Sequence, residues 1–171
     1  MKKPGHIWLL GLSGSGKSTL GPILANLLHL PFFDTDEIII QNAQHSIPEI
    51  FSSEGENGFR KRETQVIRDL EKQNAAVVAC GGGAVLVPSN RECMRKAGTR
   101  VYLRVPLQTL SNRLESKKDR PLLAHGPILA TLTEQLAARE PWYRDSEIEI
   151  NADAPSVDVA REVFQRLMTQ A

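Results

Sequence analysis

The sequence predicts an α/β domain built on a parallel sheet of five strands. Three observations carry that reading. Short apolar runs alternate with helical patterns along the chain, the signature of βαβ units. A glycine-rich run stands directly between the first apolar run and the first helical one. The length of 171 residues suits one domain with one core, so residues 1–171 are read as a single unit.

The elements follow in order. His6–Leu10 reads as the first strand and Lys17–Leu28 as the first helix, with Leu20, Ile23, Leu24, Leu27 and Leu28 on one face. Residues 30–33 form a short second strand. Residues 59–73 form a polar helix with Val66, Ile67 and Leu70 as its stripe. A buried strand at 75–79 runs into Gly81-Gly82-Gly83. Residues 101–105 make a fourth strand, and a helix over 106–115 starts at a proline. Residues 117–127 are polar and broken by Pro121, Gly126 and Pro127, the pattern of a loop. A helix at 128–140, a strand at 148–151 and a helix at 157–168 close the chain. In such sheets ligands sit at the carboxyl ends of the strands.

Bulk composition narrows the function classes. Apolar residues are 41% and charged residues 24%, with a net charge of +1, so no basic excess argues for nucleic acid. Met1-Lys2-Lys3 is basic, but the apolar run behind it stops at Gly11, too soon for a secretory core, and no stretch is long enough to cross a bilayer. Cys80 and Cys93 lack metal-ligand spacing with the four histidines and read as free thiols in a cytoplasmic protein.

The motif with the most chemistry is Gly11-Leu12-Ser13-Gly14-Ser15-Gly16-Lys17-Ser18, which fits G-x-x-x-x-G-K-[ST] at every fixed position. Glycines let consecutive N–H groups turn inward around an anion, and the helix that follows points its positive end at the same place. Lys17 would neutralise the β- and γ-phosphates of a nucleotide, and Ser18 would ligate Mg²⁺. Gly14, Ser15, Gly16 and Thr19 complete the cradle. A glycine-rich turn holding Lys-Ser by accident would not also follow a strand and open a helix. A GTPase would show D-x-x-G, and none exists; Ser116-Lys117-Lys118-Asp119 only imitates a guanine-reading segment and reads as solvated charge.

An acceptor side is visible as well. Asp34-Thr35-Asp36 follows the second strand, so one carboxylate could serve Mg²⁺ and the other an attacking hydroxyl. The plain alternative is a helix cap. Val77-Val78-Ala79-Cys80 ends in no Walker B carboxylate but in Gly81, Gly82 and Gly83, where a ligand could approach the backbone. Arg60 stands one turn from Glu63, and Arg139 precedes Pro141-Trp142-Tyr143.

Together with Ile47-Pro48-Glu49-Ile50-Phe51, Gly55-Glu56, Phe59-Arg60 and Arg120-Pro121-Leu122-Leu123, these segments fall in one order that closely resembles the shikimate kinases. The resemblance covers residues 7–164. It implies a three-layer, nucleoside-monophosphate-kinase-like fold with strand order 2-3-1-4-5, an acceptor segment at about 34–62 and a lid at about 113–127. It implies transfer from ATP, with Mg²⁺, to the 3-hydroxyl of shikimate by a monomer that needs neither nucleic acid nor membrane. Lys17, Asp36 and Arg120 would be catalytic, with Asp36 as base or orienting group and Arg120 reaching the γ-phosphate. Arg60 and Arg139 would clamp the acid's carboxylate beside Gly81, Gly82 and Gly83, with Gly82 donating its N–H. Glu63 would orient Arg60, Asp34 would support the metal, and Arg113 would flank adenine. Two guanidinium forks suit a planar carboxylate better than two ammonium groups.

Two positions depart from the family. A glycine is common just before Ser46-Ile47, where this chain has Gln44-His45, and Asn151-Ala152-Asp153-Ala154-Pro155 lacks a basic residue often found near adenine. The alternatives are a kinase for another hydroxy acid such as gluconate, and a regulator that binds nucleotide without turnover. Such a regulator would show a damaged Lys17, Asp36 or Arg120, and all three are present.

Overall fold

The computed structural model describes residues 5–115 and 127–170. Its elements are β1 (His6–Leu10), α1 (Lys17–Leu28), β2 (Phe32–Asp34), α2 (Thr35–Ala43), α3 (Ile47–Glu71), β3 (Val77–Ala79), α4 (Pro88–Ala97), β4 (Gly98–Arg104), α5 (Leu107–Leu114), α6 (Ile128–Arg144), β5 (Ile148–Asn151) and α7 (Ser156–Gln170). A single 3₁₀ turn, Ala84–Leu86, lies between β3 and α4. Among the described residues no helix is long and apolar enough to cross a membrane.

The five strands form one parallel sheet in the order β2-β3-β1-β4-β5, as the resemblance implies. β1 is the middle strand and every residue of it is buried, which is why it reads as an unbroken apolar run instead of alternating. β5, at the edge, alternates: Ile148 and Ile150 face inward while Glu149 and Asn151 are exposed. At the other end of β4, the almost buried Arg100 guanidinium pairs with Glu147 at 2.6 Å and Asp145 at 2.9 Å. That ties β4 to the segment entering β5.

The structure corrects several boundaries. β2 starts two residues later than read and ends on Asp34, β3 is confined to Val77–Ala79, and β4 begins at Gly98. α5 starts after Pro106, which caps it. α7 runs slightly further at both ends than the pattern suggests. α6 continues past residue 140 to Arg144 with Pro141 inside it, so one proline did not end the helix.

Larger differences lie at α2, α3 and α4. Neither α2 nor α4 was expected, and α3 begins at Ile47 instead of 59. Ser46 and Glu49 cap α3 reciprocally, the Glu49 carboxylate accepting from the Ser46 N–H at 2.6 Å. α3 is interrupted at Gly55, whose φ of 70° and ψ of −177° are not helical. The departure at Gln44 also has a structural meaning. Gln44 ends α2 in the left-handed region (φ 55°), where a glycine would sit without steric cost.

Candidate active site

The carboxyl ends of the strands converge on one cleft, a cavity of about 500 Å³. It is lined by the loop after β1, with Asp34, Asp36, Gly81 and Gly82. It is also lined by Arg113, Ala152, Ala154, Pro155 and Val159, among them residues that the resemblance sets near adenine.

The loop after β1 has the geometry its motif demands. Gly14 (φ 85°) and Gly16 (φ 95°) adopt conformations that only glycine takes freely. Gly16 is the N-cap of α1 and offers no side chain, so the first N–H groups of the helix face an anion site without a competing cap. The buried Lys17 amine donates to the carbonyls of Gly11 at 2.7 Å and Leu12 at 3.0 Å, and to the Ser15 hydroxyl at 3.2 Å. Those contacts fold it over the loop it serves. Arg113, from α5, donates to the Gly14 carbonyl at 2.9 Å and so stands beside the cradle.

Asp34 answers both readings of its motif. One carboxylate oxygen caps α2 by accepting from the Asp36 N–H at 2.9 Å; the other accepts from the Ser18 hydroxyl at 2.6 Å. Asp36 then falls in the first turn of α2, which favours its negative charge.

The glycine triplet has a cause that the sequence did not disclose. Each missing Cβ makes room for a different side chain. A Cβ on Gly81 would lie 2.6 Å from Glu63 Oε2 and 3.1 Å from Asp36 Oδ1. One on Gly82 would lie 3.2 Å from an Arg139 nitrogen, and one on Gly83 would run into the Arg60 guanidinium. Backbone freedom is not the reason, since none of the three has a positive φ. The triplet therefore gathers Asp36, Glu63, Arg60 and Arg139 around one strip of backbone.

The electrostatics of that strip are tight. Arg60 pairs with Glu63 at 2.8 Å and with the exposed Glu56 at 3.3 Å. Glu63 is fully buried, and burial pushes its carboxyl up to about 7 against the opposing pull of Arg60. Arg139 is buried as well. Burial of the Cys80 thiol, beneath the same strip, raises its pKa far above the ordinary range, so it is inert as a nucleophile.

Of the residues singled out from the sequence, Arg120 and most of the 117–127 loop fall within 116–126, outside the described residues. Phosphate-loop residues, Asp34, Asp36, Gly81, Gly82 and Arg113 line the cleft, while Arg60, Glu63, Gly83 and Arg139 do not line it and gather at the glycine triplet. Sequence reasoning missed two supports. The Thr35 hydroxyl accepts from the Gly81 N–H at 3.1 Å, and the Tyr143 hydroxyl donates to the Gly82 carbonyl at 2.5 Å. A signal for Tyr143 was available, since it lies four residues after Arg139 and so on the same helical face.

The chain is similar to known proteins over most of its length. The family model described as shikimate kinase matches residues 13–169. A shikimate kinase of Nitrosomonas europaea is 48% identical over 84% of this chain and 68% of its own. One of Chlorobium chlorochromatii is 41% identical over 96% and 91%. Among solved structures, the shikimate kinase from Acinetobacter baumannii in complex with shikimate is 36% identical, covers 99% of this chain and 96% of its own, and superposes with a TM-score of 0.96. Matched by the family model over residues 13–169 and by these relatives over most of its length, the chain belongs to the shikimate kinase family.

Proposed function

We propose that this chain transfers the γ-phosphoryl group of ATP to the 3-hydroxyl of shikimate, giving shikimate 3-phosphate for aromatic amino-acid biosynthesis, with the following division of labour. The loop after β1, Lys17 and the first turn of α1 hold the phosphates. Asp36 orients the attacking hydroxyl and takes its proton. Arg60 and Arg139 grip the carboxylate, with the Gly82 N–H as a further donor. Glu63 holds Arg60 in place, Arg113 flanks the base and Arg120 completes the phosphate contacts. The observation that carries this reading is the convergence of Arg60, Arg139 and Asp36 on Gly81, Gly82 and Gly83, next to the phosphate loop.

Mg²⁺ fits the donors at the loop. The Ser18 hydroxyl and an Asp34 carboxylate oxygen lie 2.6 Å apart, a hard-oxygen pair at the mouth of the cradle. An ion held there would take its remaining ligands from phosphate and water. When bound it supplies charge neutralisation at the β- and γ-phosphates. The proposed working unit is a monomer in the cytoplasm, where ATP is available.

Acid recognition is tested with two substrates. Arg60→Ala and Arg139→Ala should each raise the KM for shikimate about ten- to a hundredfold, because a hydrogen bond to a charged group contributes roughly 1.5–3 kcal/mol. The KM for ATP should stay within about twofold, since the carboxylate is remote from the nucleotide and serves to position the hydroxyl. The amide of shikimate should be a poor substrate for the parent enzyme and should lose little more in either variant. An equal penalty on acid and amide would remove the arginines from carboxylate recognition.

A second test uses the room that the triplet provides. Gly83→Ala should leave a folded enzyme, because the colliding group is the far end of the long Arg60 side chain and not backbone. With Arg60 turned aside, the shikimate KM should rise about tenfold while the ATP KM holds. Steady-state kinetics varying each substrate decides it, and an unchanged shikimate KM would show that Arg60 needs no such space.

A further inference from the structure

Tyr143 is the residue of the site for which the reading above has no task. It lies on α6 one helical turn after Arg139 and is 1% exposed. Its ring stacks on Tyr102 with centroids 5.0 Å apart and planes 19° from parallel. Its hydroxyl donates to the Gly82 carbonyl at 2.5 Å, and that glycine is the one against which Arg139 lies, a Cβ there falling 3.2 Å from an Arg139 nitrogen. Within α6, Arg139 Nη1 reaches Gln135 Oε1 at a long 3.5 Å. Burial raises the Tyr143 pKa, so the group stays a hydroxyl and a donor over the working range.

This position joins two parts of the acid site that come from distant sequence. The Gly82 carbonyl shares one rigid plane with the Gly83 N–H, so a partner on the carbonyl fixes the tilt of that peptide unit. The Arg139 guanidinium sits at the end of a flexible stem, and a fixed strip of backbone for it to lie against lowers the ordering cost of binding. We propose that Tyr143 is a positioning residue for the acceptor's carboxylate, its hydroxyl locking the Gly82–Gly83 peptide against which the Arg139 guanidinium lies, in the arrangement that receives the acid. The proposal rests on the assignment of Arg139 to the carboxylate.

A second brace between the same elements provides the control. The Arg91 guanidinium lies 3.7 Å above the Trp142 ring and donates to the Val85 carbonyl at 2.6 Å, tying α4 and the turn after the triplet to α6. It touches neither Gly82 nor Arg139 in these contacts.

The experiment measures KM for shikimate, KM for ATP, kcat and Tm for Tyr143→Phe, Arg91→Gln, Arg139→Ala and the Tyr143→Phe/Arg139→Ala double variant. Phenylalanine keeps the ring and its stacking and removes only the hydroxyl. Tyr143→Phe should raise the shikimate KM about tenfold, the loss of one hydrogen bond in a charged set, with kcat and ATP KM within about twofold. The penalty should vanish in the Arg139→Ala background and with the amide of shikimate. Arg91→Gln should lower Tm without a selective rise in the shikimate KM. If it raises that KM as much as Tyr143→Phe does, docking of α6 is what matters and the hydroxyl has no special part. A full Tyr143→Phe penalty in the absence of Arg139 also overturns the proposal. Should Arg139→Ala raise the shikimate KM while Tyr143→Phe leaves it unchanged, the positioning role fails alone. Should Arg139→Ala leave it unchanged, the carboxylate clamp fails and this proposal with it.

Discussion

Lys17→Met should give a folded protein whose turnover is lower by at least about 10²–10³-fold, the typical loss when one donor to developing charge is removed. The argument begins with where the amine is. It is already folded over the phosphate loop, held by the Gly11 and Leu12 carbonyls and the Ser15 hydroxyl. A positive charge fixed in that concavity needs no reorganisation when charge shifts toward the bridging oxygen of the leaving diphosphate. Methionine has a similar length and fills the space without charge, so the core beneath should survive. A coupled assay of ADP release, run beside a thermal melt, separates the two effects. Near-normal turnover in a purified, folded variant would remove Lys17 from the chemistry.

The second large effect is expected at Asp36. Asp36→Asn should lower kcat by about 10²–10⁴-fold, the usual contribution of a general base, while ATP affinity changes little. Asn keeps the shape and can still bond the hydroxyl, but it cannot take the proton. The position supports this division. Asp34 is occupied with Ser18 and with the cap of α2, on the metal side, whereas Asp36 lies against Gly81 on the acceptor side. Direct binding of ATP·Mg²⁺ and of shikimate to the variant makes the comparison. If ATP binding collapsed and acid binding stayed intact, the two aspartates would have exchanged roles.

The sequence carried the central part of this molecule in plain form. β1, the phosphate loop and α1 were legible because the motif needs fixed residue types and the strand is apolar throughout. α4 was not, because its sequence is largely polar and only Asn90, Cys93 and Met94 are buried. The start of α3 was legible in principle: Ser46 and Glu49 have capping-box spacing with a proline between them, but Gly55 breaks the periodicity behind it. The resemblance named Gly81, Gly82 and Gly83 as binding residues, yet their physical reason could not be read from one dimension. Room for Arg60, Glu63 and Arg139 is a property of three segments brought together by the sheet.

The strand order has a consequence for how the chain acquires its activity. β1 does not pair with β2, its neighbour in sequence; Ile7 pairs with Val77 and Leu10 with Tyr102. The strand that carries the phosphate loop therefore emerges first from the ribosome and must wait for its partners. When β3 arrives, one edge of β1 is closed, and the other stays open until β4 is made. Arg139 comes later still. No strand pair in this sheet is local, so each must pay the entropy of closing a long loop before hydrogen bonds repay it. The assembled cleft is thus a late product of folding, and a nascent chain that stops short of α6 possesses a phosphate loop without the Arg139 that the proposed acid clamp needs.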